Sequence, residues 1–178
     1  MTDTAPHAII PTPAAQFRAL RGRRVIVGIP GFGFRNDMRA DNAVVQNGRT
    51  FVPVLTEQDY YRAEQEQLEV FAPLVPIDRV WVEEPQPMRA ATILPALDGP
   101  QARIPRPAAD AERILGCRLI QRVPDGFVRD LRAVSDIYLA GLGVPTVRVC
   151  GEAEWYAWAI TGIAPSTTEV AATDVWVD

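Results

Sequence analysis

Apolar residues recur along this chain in one pattern, written twice. Arg24 to Ile29 are rich in β-branched side chains and read as a strand, and Arg118 to Val123 repeat it. Pro30 or Pro124 stops that strand. Val44 to Leu55 read as a hairpin around Asn47-Gly48, a pair that accepts the positive φ angles of a two-residue turn. The counterpart turn is Leu142-Gly143. Thr56 suits a helix N-cap, with acidic Glu57 and Asp59 in the first turn, where the helix dipole favours them. That helix is expected to run to about Phe71, and its equivalent from Glu152 to about Ile163. A short strand closes each pattern, Arg79 to Glu83 or Asp174 to Asp178. Ahead of the first strand, Pro13 is placed as at a helix start, and Ala14 to Leu20 suit a short helix ending near Gly22. The predicted order is α-β-β-β-α-β.

Residue identities follow the same frame. Ile10-Pro11-Thr12-Pro13-Ala14-Ala15 matches Ile104-Pro105-Arg106-Pro107-Ala108-Ala109. Gly22, Arg24, Ile26 and Pro30 match Gly116, Arg118, Ile120 and Pro124. Gly33-Phe34-Arg35-Asn36-Asp37-Met38-Arg39-Ala40 returns as Gly126-Phe127-Val128-Arg129-Asp130-Leu131-Arg132-Ala133. Gly48, Val52, Val54, Glu57 and Tyr61 then match Gly143, Val147, Val149, Glu152 and Tyr156, and Val80-Trp81-Val82 matches Val175-Trp176-Val177. Collinear matches of this kind describe a tandem duplication. Residues 10–83 form the first repeat and 104–178 the second. Residues 1–9 read as a flexible tail. Residues 84–103 hold Pro85, Pro87, Pro95 and Pro100 and read as an extended linker, of which Thr92 to Leu97 are apolar enough to dock on one copy. The expected class is α+β: two small twisted sheets or partial barrels, each with a packed helix, related by a pseudo-twofold axis.

The repeated octet G-F-x-x-D-(M/L)-R-A is expected to be a loop. Within it, Asp37 with Arg39, and Asp130 with Arg132, are candidates to orient a polar ligand or a phosphate. The competing account makes the octet a turn in which Asp caps backbone amides. The run Gly28-Ile29-Pro30-Gly31-Phe32-Gly33 lacks the G-x-G-x-x-G spacing, and the second copy puts Asp125 where a phosphate would lie. It reads as a turn.

The aromatic residues separate the copies. Tyr60-Tyr61 and Trp155-Tyr156 occupy matching helix positions, and Trp81 matches Trp176 on the closing strand. The middle of the first helix is Arg62, Glu64, Gln65, Glu66 and Gln67, a solvated face. The middle of the second is Ala157, Trp158, Ala159 and Ile160, apolar nearly all round, so it is either sunk in the core or covered by another surface. Trp155, Trp158, Tyr60 and Trp176 are therefore the interaction candidates.

Composition removes several chemistries. The chain has 178 residues, 48% of them hydrophobic, and a formal charge of -4, which argues against binding nucleic acid by bulk charge. Its 18 cations are all arginine. One histidine, His7, leaves no His-based metal site and no Ser-His-Asp triad in the folded part. Cys117 and Cys150 have no metal-ligand spacing and read as free thiols of a reducing cytoplasm. No signal peptide or membrane span is expected, and no cofactor, metal or catalytic residue is assigned. These observations point to a non-enzymatic binding or adaptor protein that uses the aromatic surface of the second repeat, with a protein partner or self-association. Two alternatives are a nucleic-acid-binding regulator presenting Arg39 and Arg132, and an enzyme with an Asp/Arg site at a cleft between the repeats.

Overall fold

The computed structural model describes residues 5–86 and 98–178. They fall into two compact units, residues 9–86 with 98–102 in the first and 5–8 with 103–178 in the second. The Thr92 to Leu97 segment lies outside the described residues. At the expected N-terminal tail, Ala8 and Ile9 already belong to a strand and are buried.

The first unit contains β1 (Ala8–Pro13), β2 (Arg24–Ile29), β3 (Gly33–Ala40), β4 (Val44–Gln46), β5 (Arg49–Thr56), α1 (Glu57–Glu66), β6 (Leu74–Pro76) and β7 (Val80–Gln86). The second runs in the same order: β8 (Arg106–Pro107), β9 (Arg118–Val123), β10 (Gly126–Ala133), β11 (Tyr138–Leu139), β12 (Pro145–Gly151), α2 (Glu152–Thr161), β13 (Thr168–Ala171) and β14 (Val175–Val177). The first sheet is ordered β1-β7-β2-β3-β5-β4, with β6 on the other edge of β5. The second is β11-β12-β10-β9-β14-β8, with β13 on β12, which is the same arrangement strand for strand. Each unit is thus a seven-stranded sheet with one packed helix, an α+β fold present twice. Among the described residues no helix is long and apolar enough to cross a membrane.

Two expected elements are of another kind. Pro13–Leu20 is not a helix: only Ala14–Gln16 turns, as a single 3-10 turn, and Ala108–Asp110 repeats it. The proline before each turn ends a strand, and Ala14 and Ala108 are needed as small buried side chains, so alanine content here reflects packing rather than helix propensity. The octet is not a loop either. It is the second strand of a hairpin, β3 or β10. The true turns are Pro30–Phe32 and the one-residue-shorter Pro124–Asp125, which close Ile29 onto Gly33 and Val123 onto Gly126. Register slips between Val25↔Met38 and Val27↔Arg35, and between Leu119↔Leu131 and Gln121↔Val128. Asn36-Asp37 and Arg129-Asp130 therefore face a single partner each, a bulge that bends the strand. Asp130 sits there at φ 59°. A bulge breaks the two-residue alternation, which is why the octet does not read as a strand.

Other elements follow the expected chemistry. Asn47 and Gly48 have φ of 51° and 74°, the primed two-residue turn their sequence implies. Thr56 accepts the amide of Asp59 and caps α1. Both helices are shorter than expected, ending after ten residues on the left-handed Gln67 and Gly162. Leu20, Val25, Val52, Val54 and Val80 fill the first core, and Ile114, Leu119, Val147, Val149 and Val175 stand at the matching places in the second.

Candidate functional site

Five of the repeated residues meet in one buried cluster. Glu57 opens α1 with its side chain turned inward, only 1% exposed. Arg24 reaches it from β2 at 3.0 Å and Arg39 from β3 at 3.7 Å. Arg39 donates through Nη1 to the Gly22 carbonyl at 2.9 Å and through Nη2 to the Tyr61 hydroxyl at 2.9 Å. Tyr61 lies four residues beyond Glu57, on the same helix face. In the second unit Glu152 is equally buried, with Arg118 at 3.4 Å and Arg132 at 2.9 Å. Arg132 donates to the Gly116 carbonyl at 3.0 Å and to the Tyr156 hydroxyl at 3.1 Å. In each unit the guanidinium also lies 5.5 Å from the centre of the tyrosine ring.

This network ties the helix start to β2, β3 and the turn ahead of β2. A buried carboxylate is tolerable only with such partners, and losing one strands the others in low dielectric. Arg39 and Arg132, candidates for a ligand or phosphate, are thereby turned inward. Asp37 is held from the exposed side by Arg35, at 2.6 Å and 2.9 Å, and Asp130 occupies the second bulge. Sequence reasoning identified each clamp residue as repeated but not that they touch. The signal was present in the matched set Gly22, Arg24, Arg39, Glu57 and Tyr61, the polar and glycine positions that a core of valines alone does not require.

The aromatic candidates divide. Trp176 is core, 8% exposed, with Phe127 edge-on at 6.0 Å; Trp81 and Phe34 make the same contact at 5.5 Å. Tyr60, Trp155 and Trp158 are half-buried. Trp155 lies over Gly116, where a Cβ would be 3.5 Å from its ring, and Trp158 meets it edge-on at 5.6 Å. Leu115, the neighbour of Gly116, and Ile163, just past α2, are both exposed. The outer side of α2 thus presents apolar surface around an aromatic pair.

The same place in the first unit is a cleft. It encloses about 250 Å³ between the last turns of α1, the segment after it, and the ends of β3 and β5. Arg39 and Tyr60 form its floor together with Ala63, Pro53 and Leu55, and Arg21, Asp41, Glu64 and Glu69 rim it. Tyr60 replaces Trp155 in this frame, and Ala63 replaces Trp158.

Reactive groups are few. Among the described residues no cluster of His, Cys, Asp and Glu could hold a metal ion. Burial, with a further push from Glu154, raises the Cys150 thiol to about 11 against the opposing pull of Arg132, so it is protonated at neutral pH. Tyr138, Glu169 and Arg148 form an exposed chain on β11, β12 and β13, with Tyr138 Oη donating to Glu169 at 2.6 Å. Both bonds hold the Glu169 carboxyl below its usual range. No protein-family model matches this chain, and neither does any curated protein or solved structure.

Proposed function

We propose that this is a non-enzymatic binding or adaptor protein whose second repeat engages a protein partner, or another copy of itself, through α2. The observation that carries the reading is the half-buried Trp155–Trp158 pair, flanked by exposed Leu115 and Ile163. Large aromatics in a partly desolvated patch are the residues that dominate interface energetics. Tyr60, at the position of Trp155, belongs instead to the cleft of the first repeat, and Trp176 is buried against Phe127. A reducing cytoplasm suits the thiols of Cys117 and Cys150.

A nucleic-acid reading would need Arg39 and Arg132 free to meet phosphates. Their donors are spent on Glu57, Glu152, the tyrosines and backbone carbonyls, so that reading has the weaker support.

The test is Trp158→Ala, which installs the residue the first repeat carries. The variant is expected to stay folded, losing no more than about 2 kcal/mol of stability, and to lose the association that the wild-type protein makes in sedimentation or affinity capture. Association retained by a folded Trp158→Ala variant contradicts the reading. So does a wild-type protein that neither self-associates nor retains a partner.

A further inference from the structure

We propose that the cleft of the first unit is a binding site for an aromatic ring carrying an ammonium group, a small arylalkylamine. The duplication supplies the argument for the ring. α1 and α2 start and end on equivalent residues, so Ala63 on the cleft floor corresponds to Trp158. In the second unit an indole leaves the backbone at that place and packs edge-on against Trp155, the counterpart of the cleft residue Tyr60. The first unit keeps the aromatic wall and removes the indole. What remains is a space of about 250 Å³ in a mixed, mostly polar lining, in which Tyr60, Pro53, Leu55 and Leu68 supply an aromatic and apolar side for a flat ring to lie against.

Charge selects the ammonium. Asp41, Glu64 and Glu69 rim the cleft where the second repeat has Val134, Ala159 and Ala164. Against these three carboxylates stand Arg21 and Arg39, and Arg39 is already engaged by Glu57. The cleft also lies at the C-terminal end of α1, whose last turn carries no basic residue. The partial negative charge there favours a cation. A ring entering beside Ala63 would place its ammonium at the acidic rim. This site belongs to the first unit alone and does not depend on the role assigned to α2.

Titration of the full-length protein with tryptamine, followed by amide chemical shifts, tests the assignment. Tryptamine is expected to bind with a dissociation constant of about 1 mM or tighter and to shift amides of α1, Leu55 and Leu68. Indole-3-propionate, with the same ring and the opposite charge, is expected to bind at least about tenfold more weakly, since like charge at the rim penalises it. Ala63→Trp should fill the cleft and abolish tryptamine binding while leaving the shifts of the second unit unchanged. Should that variant fail to fold, Glu64→Gln with Glu69→Gln decides, with an expected loss of about tenfold. No shift at the cleft, equal binding of the anion, or undiminished binding by both the filled and the neutralised cleft would overturn the proposal.

Discussion

α1 and α2 begin on the same buried glutamate, run for ten residues, and stop on a residue in the left-handed conformation. Facing inward they are one helix, with Glu57 and Tyr61 against Arg39 repeated by Glu152 and Tyr156 against Arg132. Facing outward they differ. α1 turns Arg62, Glu64 and Glu66 to solvent and leaves a cleft above Ala63, whereas α2 carries Trp155, Trp158 and Ile160. Residues that survive in both copies are those the fold cannot replace. Residues that differ are free of that duty, and it is there that the tasks proposed for the two units lie.

The largest expected effect comes from the shared side. Glu57→Ala leaves Arg24 and Arg39 buried without their carboxylate and should cost about 3–5 kcal/mol. Glu57→Gln, which keeps the shape and one acceptor, should cost less. Amide exchange in β2, β3 and α1 reads the loss locally. Intact protection there would mean that the network is not what holds the helix to the sheet.

Next are the shared glycines. Gly22 and Gly116 have φ of 75° and 78° and pass beneath Tyr60 and Trp155. Alanine at either place is strained by about 1–2 kcal/mol. Gly22→Ala should be the worse, because its Cβ would lie 3.1 Å from the Tyr60 hydroxyl, against 3.5 Å from the Trp155 ring for Gly116→Ala. Chemical denaturation of the two variants orders them.

A smaller effect tests a place where the copies diverge without evident gain. The hairpin turn that is Asn47-Gly48 in the first unit has Leu142 in the second, fully exposed at φ 65°. Leu142→Asn should stabilise by about 0.5–1 kcal/mol, since asparagine tolerates this backbone and leucine does not. A destabilised variant would mean that Leu142 makes a contact the unit needs.

The smallest concerns acid. Asp136 accepts the amides of Ile114 and Leu115, and these bonds, the first foremost, hold its carboxyl below the usual range. Asn42 takes the same amide bonds, from Leu20 and Arg21, without a charge. A carboxyl depressed on folding contributes stability above its unfolded pKa of about 3.9, and that contribution is lost as pH falls through the folded value. Asp136→Asn should therefore keep the fold and flatten the acid limb of the stability curve. An unchanged acid limb would remove Asp136 as a source of it.

Much of this architecture was legible in the sequence because the duplication doubled the signal. The first strand of each hairpin, the Asn47-Gly48 turn and the Thr56 cap follow from local chemistry that tertiary packing did not override. The octet strand was hidden by its bulge, and β6, β13 and the short β8 by having too few residues to set a period. The buried clamp was hidden for a different reason. Arg24, Arg39, Glu57 and Tyr61 each look like surface residues, and only the sheet register brings them together. The cleft was legible as a contrast, polar against aromatic, but not as a cavity, since Ala63 marks it only once α1 is laid beside α2.

Repeated residues hold the fold, and divergent ones do not. Glu152 and Trp158 test this division within one helix. Denaturant unfolding of Glu152→Ala and Trp158→Ala, with amide exchange in β10 and α2, measures both against the wild-type protein. Glu152→Ala is expected to lose about 3–5 kcal/mol and the protection of both elements. Trp158→Ala, at a half-buried site, is expected to lose no more than about 2 kcal/mol with protection kept. The reverse order, with the tryptophan indispensable and the glutamate dispensable, would contradict that division.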